Sequence, residues 1–210
     1  MPIKITNKEL ETNARDVAND EKYGGENKLI DRALKDNPMN TNISMVAMKV
    51  SLIDITNGTN LSRNLGKDGG LYKLSQKIVE SNFDERIKNG DLTLVNELAL
   101  WTKKNLNKNL FSFVSKYCLY HNVHCYNRDD YAIFDSVLCD NLYKYISADD
   151  YMNITGKKLR KNSFYKMKDN FDYLTYMKVI NHIITDNNIT VDKPHRKLDW
   201  FIWYKNRKSE

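Results

Sequence analysis

Between Phe111 and Leu142 the chain reads FSFVSKYCLYHNVHCYNRDDYAIFDSVLCDNL, and no other stretch constrains the fold as strongly. Phe111, Val114 and Cys118 recur at helical spacing, as do Phe113, Tyr117 and Tyr120, so the run predicts a helix from Phe111 to about His121. A turn rich in His, Asn and Asp follows. Ile133, Val137, Leu138 and Leu142 then predict a second helix, opening near Asp135, whose carboxylate stands where an N-cap accepts the free N–H groups of the next turn. Lys116 lies in the middle of the first, otherwise apolar helix.

The rest of the chain extends this pattern. Eight Gly and three Pro in 210 residues argue against strands and tight turns and leave helices as the default. A weak helical pattern through Leu10, Ala14 and Val17 stops at Gly24-Gly25, and a short helix from about Glu26 to Lys35 ends at Asn37-Pro38. Asn42 can cap a helix through Ile43, Val46, Val50 and Ile53, in which Lys49 and Asp54 are expected at the surface or a pocket rim; Asn57-Gly58 closes it. After a loop carrying Arg63 and Lys67, helices are expected over Leu71–Glu80, Phe83–Lys88 and Leu92–Lys103, the last capped by Asp91. Ser147–Asp150 reads as a turn, the basic segment Lys157–Lys168 leads into one long helix through Phe171 and Ile184, and LDWFIWYKNRK forms an aromatic last helix. The expected fold is all-α, a compact multi-helix bundle forming a single domain over 1–210, with room for two lobes and 92–146 at its centre.

The net charge of +6 is unevenly placed. Residues 151–210 carry thirteen Lys or Arg against six Asp or Glu, and the first 150 carry twenty against twenty-one. Such a skew suits a polyanionic partner, although a Lys-rich solvated face produces it equally well. No apolar run is long enough to cross a membrane and MPIKITNKEL has no signal-peptide core, so no membrane partner and a cytoplasmic location are expected. Three cysteines argue against a disulfide framework. Cys118, His121, His124, Cys125 and Cys139 suggest zinc, yet their spacing fits no standard site, and small buried cysteines with loop histidines account for them better; neither metal nor cofactor is expected.

Ser115-Lys116 followed nineteen positions later by Ile133-Phe134-Asp135 resembles the core of the helix-hairpin-helix DNA glycosylases, most of all the 8-oxoguanine glycosylase branch. There a Ser/Thr-Lys dipeptide opens the second hairpin helix and an apolar-Asp segment caps a later one. The resemblance covers about a sixth of the chain. It departs from the family at the hairpin, where Leu-Pro-Gly-Val-Gly is replaced by Leu110-Phe111-Ser112-Phe113-Val114, so both glycines that let backbone N–H groups approach a phosphate are lost.

The resemblance implies a helix-hairpin-helix-like core and excision of a damaged or modified base from DNA, with a lyase step as a further implication. Lys116 would be the nucleophile, neutral because apolar neighbours disfavour its charged form. Asp135 would stabilise the positive charge developing on the sugar. DNA would be held by Lys103, Lys104, Lys108, Ser112, Ser115, Lys157, Lys158, Arg160 and Lys161. Phe201 or Trp203 would stack on the extruded base, and a monomer would suffice. The alternative, from a different class, is a non-catalytic helical nucleic-acid-binding protein, favoured by the missing hairpin glycines.

Overall fold

Side-chain caps set six of the twelve α-helix starts among the described residues. In the computed structural model, which describes residues 1–58, 61, 65 and 69–206, Thr6 and Glu9 form a reciprocal capping box that opens α1 (Asn7–Asn19). Asp20 serves two helices: it ends α1, and its carboxylate accepts the Lys22 and Tyr23 N–H groups at 3.1 and 3.0 Å to open α2 (Glu21–Asp36). Asn42 caps α3 (Ile43–Asn57), and Gly58 ends it at φ +58°. There follow α4 (Gly70–Glu80), α5 (Phe83–Lys88), α6 (Thr93–Leu106), α7 (Phe111–Tyr126) and α8 (Ser136–Asn141). A 3-10 turn (Leu142–Lys144) leads to α9 (Ala148–Thr155), α10 (Ser163–Asp169), α11 (Tyr173–Asp186) and α12 (Pro194–Asn206). Among the described residues there is no strand, and the fold is all-α as the patterning predicts.

The centre is α7. It carries apolar residues on several faces, and such a helix is stable in water only when neighbours cover each of them. Here α2, α3, α5 and α6 all pack on it. At the molecule's other side α12 lies along α1 and also touches α8, so the last helix returns to the first.

Several expectations are corrected. Gly24 and Gly25 lie inside α2 rather than ending a helix. At Gly24 a Cβ would stand 2.4 Å from the Ala18 carbonyl oxygen, so the missing side chain is what lets α1 and α2 touch, while Gly25 faces open space. The first central helix runs past His121 to Tyr126 because its polar residues find partners in the core instead of forming a turn. His121 Nδ1 meets the Tyr117 carbonyl at 2.8 Å, and Asn122 donates to the Ile87 carbonyl at 3.1 Å. Asn127, at φ +52°, ends the helix.

Lys49 and Asp54 are buried, not at the surface. The Lys49 amine donates to the carbonyls of Asn37 and Met39 at 3.0 and 2.9 Å, closing the end of α2, and burial pulls it down to about 8. Asp54 accepts the Leu61 N–H at 2.7 Å. Ser147–Asp150 is the start of α9, with Ser147 as its cap. The basic segment Lys157–Lys168 contains most of a helix of its own, α10, and the long helix expected through Phe171 and Ile184 begins only at Tyr173 as α11, with Phe171 at φ +54° between the two. Arg63 and Lys67 lie outside the described residues.

Candidate active site

The segment from Asp129 to Asp135 crosses the interior without belonging to any helix or sheet, so its backbone groups need side-chain partners. They have them. Asp130 N–H donates to Asn122, and Tyr173 Oη bridges the N–H and carbonyl of Ala132 at 2.9 and 2.6 Å. Tyr176 donates to the Ile133 carbonyl. Ser115 Oγ accepts the Phe134 N–H at 3.0 Å, and Ser112 Oγ donates to the Phe134 carbonyl at 3.3 Å. The Phe134 ring stacks on Tyr176 with centroids 3.7 Å apart. A packed segment held by these bonds keeps the residue at its end in one place.

That residue is Asp135. One carboxylate oxygen caps α8, accepting the Leu138 N–H at 3.1 Å, and the other lies 3.1 Å from Lys116 Nζ. The side chains of Lys116 and Asp135 are only 11% and 12% exposed. Burial opposes the ammonium form of Lys116, but the Asp135 carboxylate, with Tyr120 and Asp199 behind it, offsets burial and holds the amine above the ordinary lysine range. The resting lysine is therefore charged, which corrects the neutral amine expected from its apolar neighbours.

Lys116 and Asp135 line a cavity of about 340 Å³. Tyr120 of α7 forms part of one wall, its hydroxyl bonded to Asn57 at 2.9 Å. The opposite wall is a single face of α12 bearing Arg196, Asp199, Trp200 and Trp203. The Arg196 guanidinium sits between the Tyr120 and Trp200 rings, 4.7 and 4.5 Å from their centroids, and bonds Asp199 at 3.2 Å and Asn27 at 2.9 Å. Trp203 packs edge-on against Tyr23 of α2. Burial pushes the Asp199 carboxyl up to about 7 against the pull of Arg196. The cavity thus holds two buried ion pairs beneath aromatic walls, room enough for a planar ring, and a carboxyl able to exchange a proton near neutrality.

The other residues singled out in the sequence divide. Lys116, Asp135 and Trp203 meet in this cavity. Phe201 does not: it is 1% exposed and packs edge-on against Tyr145 on the core side of α12, so it cannot stack on a ligand. Ser115 is fully buried and spends its hydroxyl on Ser112 and Phe134, which makes it a support for Asp135 rather than a contact for DNA. Ser112 is half-buried and accepts from the Lys168 amine at 2.7 Å, tying α10 to the first turn of α7. Lys103, Lys104, Lys108, Lys157, Lys158, Arg160 and Lys161 are exposed, and none enters an ion pair among the described residues.

Cys118 and His121 lie in the core, and His121 and His124 are helical rather than in a loop; among the described residues no group of three His, Cys, Asp or Glu is placed to hold a metal ion. Nor is any described helix long and apolar enough to cross a membrane. Arg196 and Asp199 were not singled out from the sequence, and Trp200 was not among the aromatics expected to stack on the base. The signal was present: with Trp203 they stand at i, i+3, i+4 and i+7, one face of a helix, while Leu198, Phe201 and Ile202 make the other.

Fold and site together define an all-α protein with a buried lysine–aspartate pair in an aromatic cavity. The family described as the HI_0787_N N-terminal domain matches residues 9–130, more than half of the chain, and the protein belongs to that family. The matched stretch includes Lys116 and stops short of Asp135 and α12. No curated protein and no solved structure matches the chain.

Proposed function

We propose that the protein is a DNA glycosylase related to the helix-hairpin-helix enzymes, excising a damaged or modified base with Lys116 and Asp135, and with an associated lyase step. The observation that carries this reading is the 3.1 Å Lys116–Asp135 contact inside an aromatic cavity. The spacing that suggested the pair came from sequence, and the geometry supports the same two side chains acting together. A base within a duplex is out of reach, so the target nucleotide rotates outward and its base enters the cavity walled by Tyr120, Trp200 and Trp203. Asp135, fixed by its cap, faces the charge that develops on the sugar. Lys116 gives up its proton and bonds to C1′, and the resulting imine permits loss of the 3′ phosphate. The turn between α6 and α7, with Lys108 inside it and Lys103 and Lys104 beside it, and the basic residues before α10 offer phosphate contacts whose strength falls with salt.

A second reading is favoured by the charged state of Lys116: a closed, buried ion pair is also what a purely structural lysine makes. A non-catalytic nucleic-acid-binding protein fits that. Borohydride trapping separates the two. With a duplex containing one abasic site, the unmodified protein gives a covalent protein–DNA band after reduction, and Lys116→Gln gives none while still binding the duplex. Asp135→Asn slows base release from a duplex panel of single modified bases by about two orders of magnitude. If the unmodified protein neither traps nor releases any base, the glycosylase reading is wrong and the structural lysine stands.

A further inference from the structure

A charged Lys116 cannot attack a sugar carbon, because the ammonium has no free electron pair. Some group must take its proton. Bulk water is poorly placed to do so, since the amine is nearly enclosed. Asp135 is in contact but is committed twice, to the Leu138 N–H and to the charge on the sugar, and a protonated Asp135 could not stabilise that charge. The cavity holds one other buried carboxylate. Asp199 projects from α12 into the same space as Lys116 and Asp135, and it is 7% exposed. Among the described residues its hydrogen bond is to Arg196, through one oxygen, and the other oxygen remains to receive a proton.

We propose that Asp199 accepts the proton Lys116 must lose and returns it to the departing base, an inference that rests on the glycosylase reading. The step balances without any other reactant. Lys116 and Asp199 line one cavity without touching, so as the Lys116 N–H bond breaks its proton passes through one water in the cavity to an Asp199 oxygen. The freed electron pair forms the bond from Nζ to C1′. The C1′–base bond breaks with its pair on the base nitrogen, and the Asp199 proton moves there. The net charge of the cavity ends as it began: the Lys116 cation is now a secondary ammonium on the sugar, and Asp199 is again a carboxylate.

The electrostatic setting suits an acceptor near neutrality. Burial raises the proton affinity of Asp199, the nearby Asp135 and Asp129 carboxylates raise it further, and Arg196 and Lys116 hold it in check, leaving the carboxyl at about 7. From α2 the cavity also receives Lys22 and Glu26, while α1 and α3 contribute Val17 and Asn57, which carry no charge. An acceptor of this kind works poorly below its own titration and fully above it.

The test is the rate of borohydride trapping on an abasic-site duplex from pH 6 to pH 9, where only the lysine's deprotonation and attack are read, alongside base release from a duplex bearing 8-oxoguanine. The unmodified protein should trap at a rate that rises through neutrality and then levels. Asp199→Asn keeps the shape but cannot take a proton. It should trap at least about tenfold more slowly at pH 7, and its rate should keep climbing with pH as hydroxide replaces the lost acceptor. Asp199→Glu restores a carboxylate and should recover much of the rate at pH 7. Thermal melts and affinity for the abasic duplex check that neither variant has lost its fold or its DNA. The proposal is overturned if Asp199→Asn traps with the unmodified rate and profile, or if its deficit is the same at every pH and Asp199→Glu does not rescue it. Should Lys116→Gln alone abolish trapping in that case, the glycosylase reading survives without Asp199. If the unmodified protein traps nothing and releases no base, both fall.

Discussion

Replacing Gly24 by alanine should destabilise the protein, whereas the same change one residue later should stabilise it. Both glycines lie in α2, where Gly→Ala ordinarily gains roughly 0.5–1 kcal/mol by lowering the entropy of the unfolded chain and improving helix propensity. At Gly25 a Cβ meets nothing within 4 Å, so the gain should appear in full. At Gly24 the new carbon would stand 2.4 Å from the Ala18 carbonyl oxygen and 2.9 Å from its carbon, both backbone atoms that no rotamer change can move. Restoring ordinary contact requires α1 and α2 to separate by roughly 1 Å, which loosens the packing of Val17 and of the helices behind it. Overpacking of this sort costs about 1–3 kcal/mol. Subtracting the propensity gain leaves Gly24→Ala about 1–2 kcal/mol less stable than the unmodified protein. Urea denaturation reads the difference as a lower midpoint at an unchanged slope. A Gly24→Ala midpoint equal to or above that of Gly25→Ala would refute the close helix contact from which the argument starts.

Ser115→Ala should cost about 1–3 kcal/mol, because it leaves the buried Phe134 N–H without a partner, and under the proposed glycosylase function it should also slow base release by loosening Asp135; a variant as stable as the unmodified protein would remove Ser115 from its supporting role. His124 is half-buried beside Asp31, and burial, aided by Arg196, brings its imidazole down to about 4. The unfolded chain therefore binds a proton that the folded one refuses between pH 6.5 and 4, and stability should fall by about 3 kcal/mol as pH drops through that window. Asp199, raised to about 7, contributes the opposite slope over the same range, so the quantity to follow is the difference between the unmodified protein and His124→Gln. If that difference does not change from pH 6.5 to 4, the histidine is not held neutral by burial.

What could be read from the sequence was largely what local spacing determines. The helical stripes around Lys116, the Asp135 cap and the Asn42 cap depend on residues within a few positions of one another, and each stands where its pattern predicts. The partnership of Ser115 with Phe134 does not, since a buried serine and a DNA-facing serine look alike until the segment it supports is folded against it. Trp203 and Phe201 differ by two positions, and which of them meets the cavity depends on the side of α12 that α1 and α8 cover. Lys49 was misread for a related reason. Its amine is taken up by the backbone carbonyls of Asn37 and Met39, and a charged side chain satisfied by main chain leaves no oppositely charged neighbour in the sequence to reveal it.

The return of α12 onto α1 has a consequence for how the molecule is made. During synthesis the N-terminal helices and α7 leave the ribosome long before residues 194–206, and until those residues dock, the cavity has one wall, with Lys116 and Tyr120 open to water. A nascent chain that has already buried most of α7 therefore carries a half-built site, lacking Arg196, Asp199 and both tryptophans. Competence arrives late and in one event, when the final helix closes on the first.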